Sequence, residues 1–354
     1  MTLPDLPGFK FVVSTAFFPP AVEQSMPSLP IVYSTHTLHP HAVAMLDGIA
    51  TLKVASALDP QIFVRESRDA AAFVIRVPVP AEIFEDAPML RLAARHGAGI
   101  DMVPMEAATR AGVLVSNVPG ANARTVAEYI FFAAIALYRR FRPIDRDLRN
   151  KGWLAGRVET VHGRELAART LGIVGMGNIG RAAATIAMAG FGLNVIATSR
   201  SRQSLPEGID WRTLEELMAE SDIIAICCPL TPETRGMIDA DRIARMKPEA
   251  ILINVARGAI VDDDALLAAL RENRIGGAAL DVFDTPPEPD HPYFSFDNVL
   301  VTPHMAGISE ESMERMGTGA IAEVIRVLEG RLPVNLRNPE VVEHYRRRFP
   351  ESTL

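Results

Sequence analysis

The chain has 354 residues, of which 48% are hydrophobic and 22% charged, and its formal net charge is −7. That length and apolar content suit about two domains with substantial cores, while the negative balance argues against nucleic acid or an anionic membrane as the principal partner. A small anionic substrate remains open, because a local pocket can be positive on an acidic protein.

The first 28 residues carry repeated prolines and no clear period, which predicts an extended arm. They lack the basic start and long apolar run of a secretory signal. No run of 18 apolar residues occurs, so no transmembrane helix is expected and a cytoplasmic location follows by default. IVYS (31–34) predicts a strand, THTLHP a turn and AVAMLDGIA a helix. AAFVIRV (71–77), LRLAARHGAG (90–99) and GVLVSNVPG (112–120) each predict a strand running into a loop. Short apolar strands spaced by helix-length stretches indicate a parallel α/β layer.

From Asn122, NARTVAEYIFFAAIALYRRF predicts a long helix with apolar residues on nearly every face. Such a helix is buried all round, in a core or in a subunit interface. The stretch FRPIDRDLRNKGWLAGRVETVHG that follows has too little apolar content for its own core and reads as an arm over a partner. A homodimer through the 122–140 helix and the 141–165 arm is therefore expected.

A second α/β layer begins at Thr170, with strands in TLGIVGM, LNVIATS, DIIAICC, AILINVA, GGAALDVF and NVLVTPH. Six strands in this arrangement suit a doubly wound nucleotide-binding domain. Cys227 and Cys228 are placed in the third of them, where neighbours point to opposite faces and are poorly disposed to bridge; they read as reduced, buried residues. The last helix, SEESMERMGTGAIAEVIRVLEG, is expected to return to the first layer.

Gly175-Met176-Gly177-Asn178-Ile179-Gly180 follows an apolar strand and opens the helix IGRAAATIAMAG, the context in which G-x-G-x-x-G binds a dinucleotide. The first glycine permits the turn, the second lets the backbone approach the pyrophosphate, and the third lets helix pack on strand. A ribose-binding acid is expected about 20 residues on. The sequence there is VIATSRSR, with Ser199 in the place of the acid and Arg200 and Arg202 behind it. Two guanidiniums and no carboxylate favour a 2′-phosphate, hence NADP(H), with NAD(H) possible.

Three further segments end predicted strands, where open α/β sheets place their ligands: Asn254-Val255-Ala256-Arg257-Gly258, Ala279-Leu280-Asp281-Val282-Phe283 and Thr302-Pro303-His304-Met305-Ala306-Gly307. Together with HGAGID (96–101), NVPGANARTVAEY (117–129) and GRELAARTLGIVGMGNIGR (163–181), they resemble the D-isomer-specific 2-hydroxyacid dehydrogenases over about residues 70–330. The resemblance implies an α/β fold of two Rossmann-like or flavodoxin-like domains with doubly wound parallel sheets and a cleft between them. Residues 1–121 with 309–354 would form the substrate-binding domain, and 122–308 the NAD(P)-binding domain. It implies hydride transfer between NAD(P)(H) and C2 of a small 2-keto or D-2-hydroxy acid.

On the same footing Arg257 grips the substrate carboxylate and polarises the carbonyl. Backbone amides near Ala98 and Gly99 hold that carboxylate, and His304 is the general acid. Asp281 accepts from the nicotinamide carboxamide, while Cys228, Pro229, Thr234, Val255, Ala256 and Gly307 border the dinucleotide. Arg76 is a candidate second contact to the substrate.

One departure stands out. The family carries a glutamate five residues after the aspartate of ALDVF, which hydrogen-bonds the histidine and raises its pKa. Here position 286 is proline in the run Asp281-Val282-Phe283-Asp284-Thr285-Pro286-Pro287-Glu288. Either Glu288 or Asp284 reaches His304 from a rearranged loop, or the imidazole works unpaired near the free value of about 6.5.

His36, His39 and His41 lie close in THTLHPH without a carboxylate or cysteine beside them, so a loop lining the substrate cleft is expected there and no metal site. Asp262-Asp263-Asp264 reads as the cap of the helix ALLAALREN. Glyoxylate and hydroxypyruvate are the first substrates to expect. The alternative enzyme is a D-3-phosphoglycerate dehydrogenase, which would need a second basic cluster and whose regulatory domain has no room after the return helix. A dinucleotide-sensing binding protein, related to the family's corepressors, is the alternative of another class.

Overall fold

The computed structural model describes residues 28–200, 202 and 205–350, so all but the last residue of the predicted 1–28 arm lies outside the described part. The first sheet has five strands: β1 (Ile31–Ser34), β2 (Thr51–Val54), β3 (Ala70–Ile75), β4 (Leu92–Arg95) and β5 (Leu114–Ser116). They pair in the order β2-β1-β3-β4-β5, every pair parallel. All six residues of β3 are buried, as a central strand covered on both faces requires. The covering helices include α1 (Pro40–Ala44), α2 (Pro60–Glu66) and α3 (Met105–Arg110).

Two readings of this region change. The helix expected over AVAMLDGIA is only the five-residue α1, and the chain turns at Gly48 to enter β2. β2 was not anticipated because it is an edge strand whose four residues are exposed or half-buried, so it carries no apolar alternation.

α4 (Ala123–Tyr138) crosses to the second sheet. Its Val126, Ile130, Phe131, Ala133 and Ala134 share a core with Leu171, Ile173, Ile251, Ile253 and Ala279. Phe132 and Ile135 on the same helix remain exposed, so its burial is not complete within one chain. The 141–165 stretch is helical, with α5 (Phe141–Lys151) and α6 (Trp153–Val158). It leaves Phe141, Trp153, Leu154, Val158 and Val161 exposed.

The second sheet holds β6 (Thr170–Val174), β7 (Asn194–Thr198), β8 (Asp210–Trp211), β9 (Ile223–Ile226), β10 (Ile251–Asn254), β11 (Gly277–Leu280) and β12 (Val299–Val301). The order is β12-β11-β10-β9-β6-β7-β8, again with parallel pairs throughout. The two-residue β8 adds a seventh strand to the six expected. Between strands run α7 (Asn178–Phe191), α8 (Leu214–Glu220), α9 (Ala240–Ile243) and α10 (Asp263–Arg271). Asp262 caps α10 by accepting from Ala265 N at 3.0 Å. Cys227 and Cys228 are free thiols just past the end of β9, not within it, and both are only half-buried.

α11 (Glu310–Leu328) then returns to the first sheet, where Ala320, Ile321, Val324 and Val327 share a core with Val32, Val74, Leu92 and Leu114. α12 (Val342–Arg348) joins the same core through Tyr345. None of the described helices is long and apolar enough to cross a membrane.

Both sheets are doubly wound, so each has a point where the strand order reverses and the loops diverge to leave a crevice. In the second sheet it lies between β6 and β9, in the first between β1 and β3. Strand-end loops of both sheets border the site below.

Candidate active site

The turn after β6 places Gly175 at φ +103°. A Cβ there would lie 2.7 Å from Cys228 N and 2.8 Å from Cys228 Cα, so only glycine lets the loops after β6 and β9 meet at the reversal point. At Gly180 a Cβ would come within 2.3 Å of Gly175 O, which accounts for close packing of α7 on the turn. Gly177 differs from both. Nothing lies within 4 Å of where its Cβ would be, and as N-cap of α7 it gives the first-turn amides no side-chain acceptor. An open backbone with unsatisfied amides is what a pyrophosphate needs, so the loop fits a dinucleotide.

Beyond β7, Trp211 Nε1 donates to Ser199 O at 3.2 Å, and the Arg202 guanidinium stacks on the Trp211 ring at 3.5 Å from its centroid. Arg200 is exposed beside them. The residue at the strand end is Ser199, with no carboxylate of its own to offer, and the Glu233 carboxylate is near enough to Arg200 for their charges to interact.

A cleft of about 900 Å³ opens from the glycine loop toward the first sheet, lined among others by Ile179, Cys228, Pro229, Val255, Ala256, Arg257, Ala98, Gly99 and Asp101. Thr234 turns its hydroxyl back to Pro229 O at 2.8 Å and shapes that loop instead of facing the cleft. Gly307 packs against Asn122, where a Cβ would meet Nδ2 at 2.5 Å, so it serves the junction with α4.

Arg257 follows β10. Its Nε and Nη2 donate to the Asp101 carboxylate at 2.9 and 2.7 Å, and Nη1 donates to Ala256 O at 2.6 Å. A Cβ on Gly99 would fall 2.4 Å from Arg257 Nη2, so the guanidinium lies directly on the Ala98–Gly99 backbone. Burial works against the Asp101 charge, but hydrogen bonds and charge from Arg257, with Arg95 adding, hold its pKa below the ordinary carboxylate value. Sequence reading missed Asp101 as a partner: 156 residues separate it from Arg257.

Arg95 ends β4. Burial, and secondarily the charges of Arg257 and Arg76, bring its pKa down to about 10, with Asp101 opposing. It donates to Ile75 O at 3.1 Å and to His96 O. Arg76, after β3, is held by its backbone N–H donating to Thr35 Oγ1 at 3.0 Å, and burial lowers its pKa as well. Among the described residues no carboxylate pairs with the Arg76 guanidinium.

His304 has φ +57°, a left-handed backbone that costs a non-glycine residue about 1–3 kcal/mol. Asp281, almost fully buried, holds the turn. Thr302 Oγ1 and Met305 N donate to Asp281 Oδ1, each at 2.7 Å, and Ala306 N donates to Oδ2 at 2.9 Å. The Thr302 hydroxyl also meets Tyr129 OH of α4 at 2.6 Å. Most of the Asp281 carboxylate is thus committed to the histidine turn, leaving a lone pair of Oδ2 for anything else.

The His304 pKa lies below its ordinary value, first through partial burial and then through the positive charge of Arg257, with Arg95 adding. The carboxylates that act on it most are Asp281 and Asp101. The structure does not bring Glu288 to the imidazole. It is exposed on the loop after β11, and its carbonyl accepts from His291 N at 2.9 Å. Asp284 faces Arg235 at 3.8 Å. The proline-rich run holds these carboxylates on the outside of the loop.

The family profile described as "D-isomer specific 2-hydroxyacid dehydrogenase, NAD binding domain" matches residues 131–306. A glyoxylate reductase of Aeropyrum pernix is 38% identical over 327 residues, which is 89% of this chain and 97% of that one. A D-3-phosphoglycerate dehydrogenase of Methanocaldococcus jannaschii is 35% identical over 86% of this chain and 58% of its own length. Among solved structures, an NADPH-dependent glyoxylate/hydroxypyruvate reductase of Sinorhizobium meliloti superposes with a TM-score of 0.78 at 25% identity, covering 88% of this chain and 98% of that one.

Proposed function

This chain belongs to the D-isomer specific 2-hydroxyacid dehydrogenase family, and on that footing we propose that it reduces glyoxylate or hydroxypyruvate with NADPH. It is a nicotinamide-dependent oxidoreductase; the substrate, the cofactor preference and the residue roles are the proposed part.

The carrying observation is how Arg257 is held. A guanidinium has five N–H groups; two go to Asp101 and one to Ala256 O, leaving one on each terminal nitrogen beside the Gly99 backbone. That pair suits one planar carboxylate. Arg257 holds the 2-keto acid by its carboxylate and draws electron density from the adjoining carbonyl. A nicotinamide dinucleotide held at the Gly175–Gly180 loop would supply hydride chemistry at C2, in either direction. His304, whose charge state Arg257 already influences, gives its proton to the carbonyl oxygen, so the carbonyl becomes an alcohol and the imidazole is left neutral. Asp281 keeps the histidine turn in its strained conformation through the Met305 and Ala306 amides. The preference for NADPH rests on Arg200 and Arg202 beside a strand end that carries Ser199 where a ribose-binding acid would repel a phosphate.

A panel of 2-keto acids assayed with both reduced cofactors tests this. Glyoxylate or hydroxypyruvate should turn over faster with NADPH than with NADH, and Arg257→Ala should abolish the activity. A tenfold preference for NADH refutes the cofactor assignment. No turnover of any ketoacid with either cofactor refutes the reductase reading in favour of a dinucleotide-sensing binding protein.

One observation favours a second reading, oxidation of a phosphorylated 2-hydroxy acid such as D-3-phosphoglycerate: Arg95 stands near enough to Arg257 on one side and to Arg76 on the other for their charges to interact. The same panel separates the two, since a phosphorylated substrate would then surpass glyoxylate in kcat/KM.

We also propose a homodimer. A groove of about 1130 Å³ bordered by Phe132, Phe141, Arg142 and Val299 lies beside the exposed Trp153, Leu154 and Val158 of the helical arm. Exposed apolar side chains on the arm, beside a groove that carries charged as well as apolar residues, suit a two-fold exchange between copies. Light scattering giving a 38.5 kDa particle would refute it.

A further inference from the structure

His39 and His41 were read from the sequence as loop residues because no carboxylate accompanies them. The fold supplies one. Glu314 lies in the second turn of α11, which packs on α1, and its Oε1 is 2.7 Å from His41 Nδ1 although 273 residues separate them. One ligand atom from each of His39, His41 and Glu314 can be chosen so that all three lie within 4.8 Å of one another. We propose that these three side chains form a binding site for a zinc-class divalent cation, a clip joining α1 to α11.

The geometry is close to what such an ion requires. Tetrahedral bonds of 2.0–2.1 Å put neighbouring ligand atoms about 3.3 Å apart. That separation lies between the 2.7 Å of the His41–Glu314 pair and the 4.8 Å limit of the trio. The adjustment is small for side chains with room to turn, and His41 is 71% exposed. The rings of His39 and His41 are 5.0 Å apart at 74°, so they do not stack against each other. His39 Nδ1 accepts from His41 N at 3.3 Å, a long hydrogen bond whose replacement by a metal bond costs little.

Ligand chemistry selects the ion. Two imidazoles and one carboxylate suit Zn(II), Ni(II), Co(II) or Cu(II), whereas Mg(II) and Ca(II) favour oxygen ligands throughout. A ligand carboxylate must be ionised, and contact with His41 holds the Glu314 pKa below its usual value. The fourth position would be taken by water.

The packing beneath gives the clip something to act on. A Cβ at Gly317 would lie 3.1 Å from Ala42 Cβ and 3.8 Å from His39 Cβ, so α1 and α11 approach closely at this point. An ion bound across them stabilises the contact in the folded chain only, by mass action. The effect expected of the ion is therefore on stability.

The experiment uses the full chain without a histidine tag, stripped with EDTA and desalted, and titrated with zinc chloride by calorimetry. Wild type should bind one zinc with Kd below about 10 µM. His41→Ala and Glu314→Gln should each weaken that binding at least tenfold. In thermal melts a saturating excess of zinc should raise the wild-type Tm by about 3 °C or more and leave both variants unmoved. Melts without zinc check that the variants fold; the three side chains sit at the surface, so they should match wild type. Zinc heats that are the same in wild type and both variants overturn the proposal, as does saturation only near 1 mM. A site formed instead at His304 gives that first result.

Discussion

Replacing Asp101 with asparagine tests the geometry on which the substrate assignment depends. In wild type the carboxylate takes Arg257 Nε at 2.9 Å and Nη2 at 2.7 Å. Asparagine keeps the shape but offers one acceptor and turns an amide N–H toward the guanidinium. Charge-assisted bonds of this kind contribute roughly 1.5–3 kcal/mol where water is excluded. The Asp101 side chain is 47% exposed and that of Arg257 26%, so solvent screening reduces the contact to about 1–2 kcal/mol. At 1.36 kcal/mol per factor of ten, kcat/KM for ketoacid reduction should fall about 5- to 30-fold. Most of the loss should enter through KM, because a misdirected guanidinium weakens ground state and transition state alike. Steady-state reduction of glyoxylate, with the KM for NADPH measured alongside, is the assay. The cofactor KM should not move, since the glycine loop lies on another strand end. A variant within twofold of wild type would refute the positioning role, and a variant with improved kcat/KM would mean that Asp101 competes with substrate for Arg257.

Other expectations follow from the same site. The His304 pKa is below its ordinary value, so the protonated acid is present only below that pKa and is lost as pH rises through it. The kcat/KM for reduction should therefore already fall as pH rises toward the ordinary histidine value of about 6.5, while oxidation, which uses the neutral imidazole as base, gains. Glu288→Ala should leave this limb in place, because Glu288 is exposed on its loop. Asp101→Asn should move the limb lower, because Asp101 raises the imidazole pKa; a shift with Glu288→Ala and none with Asp101→Asn would reverse the assignment. Arg200→Ala should raise the KM for NADPH at least tenfold and leave that for NADH within twofold; equal effects would rule out a 2′-phosphate contact. Gly175→Ala combines a left-handed backbone with a contact at 2.7 Å to Cys228 N and should cost about 2–4 kcal/mol, lowering the melting temperature by several degrees. Gly177→Ala, with open space at its Cβ, should leave the melt unchanged and raise the dinucleotide KM instead. Identical melts for the two variants would contradict that division of roles.

What the sequence made legible was local. The glycine loop has its whole meaning within six residues and the strand before it, so its spacing carried through to the turn after β6. Central strands such as β3 and β10 declare themselves because both faces are buried and, Asn254 at the end of β10 apart, every residue is apolar. β2 and β8 do not, since an edge strand of half-exposed residues has no apolar pattern to read. Contacts across the chain were not legible at all. The Arg257–Asp101 pair and the His41–Glu314 pair each join loops or helices that only the two chain crossings, through α4 and α11, bring together.

The missing glutamate shows why such distant pairings matter. From sequence, Pro286 in place of the family's glutamate leaves two outcomes: a substitute on the same loop, or a histidine without a carboxylate. Spacing alone left Glu288 and Asp284 as substitutes, each two residues from position 286. Glu288 and Asp284 stay outside, and what acts on the His304 pKa, after burial, is Arg257 after β10, Asp281 directly after β11, Arg95 at the end of β4 and Asp101 beyond it. Two of these, Arg257 and Asp101, form one ion pair, and of the two the positive charge of Arg257 acts more strongly on the imidazole. A ketoacid carboxylate on Arg257 adds a negative charge without removing Asp101. Substrate binding should then raise the His304 pKa at the moment a proton donor is needed. The pH limb of kcat, which reports the substrate complex, should lie above that of kcat/KM, which reports the free enzyme. Coincident limbs would mean that the substrate carboxylate does not bind at Arg257.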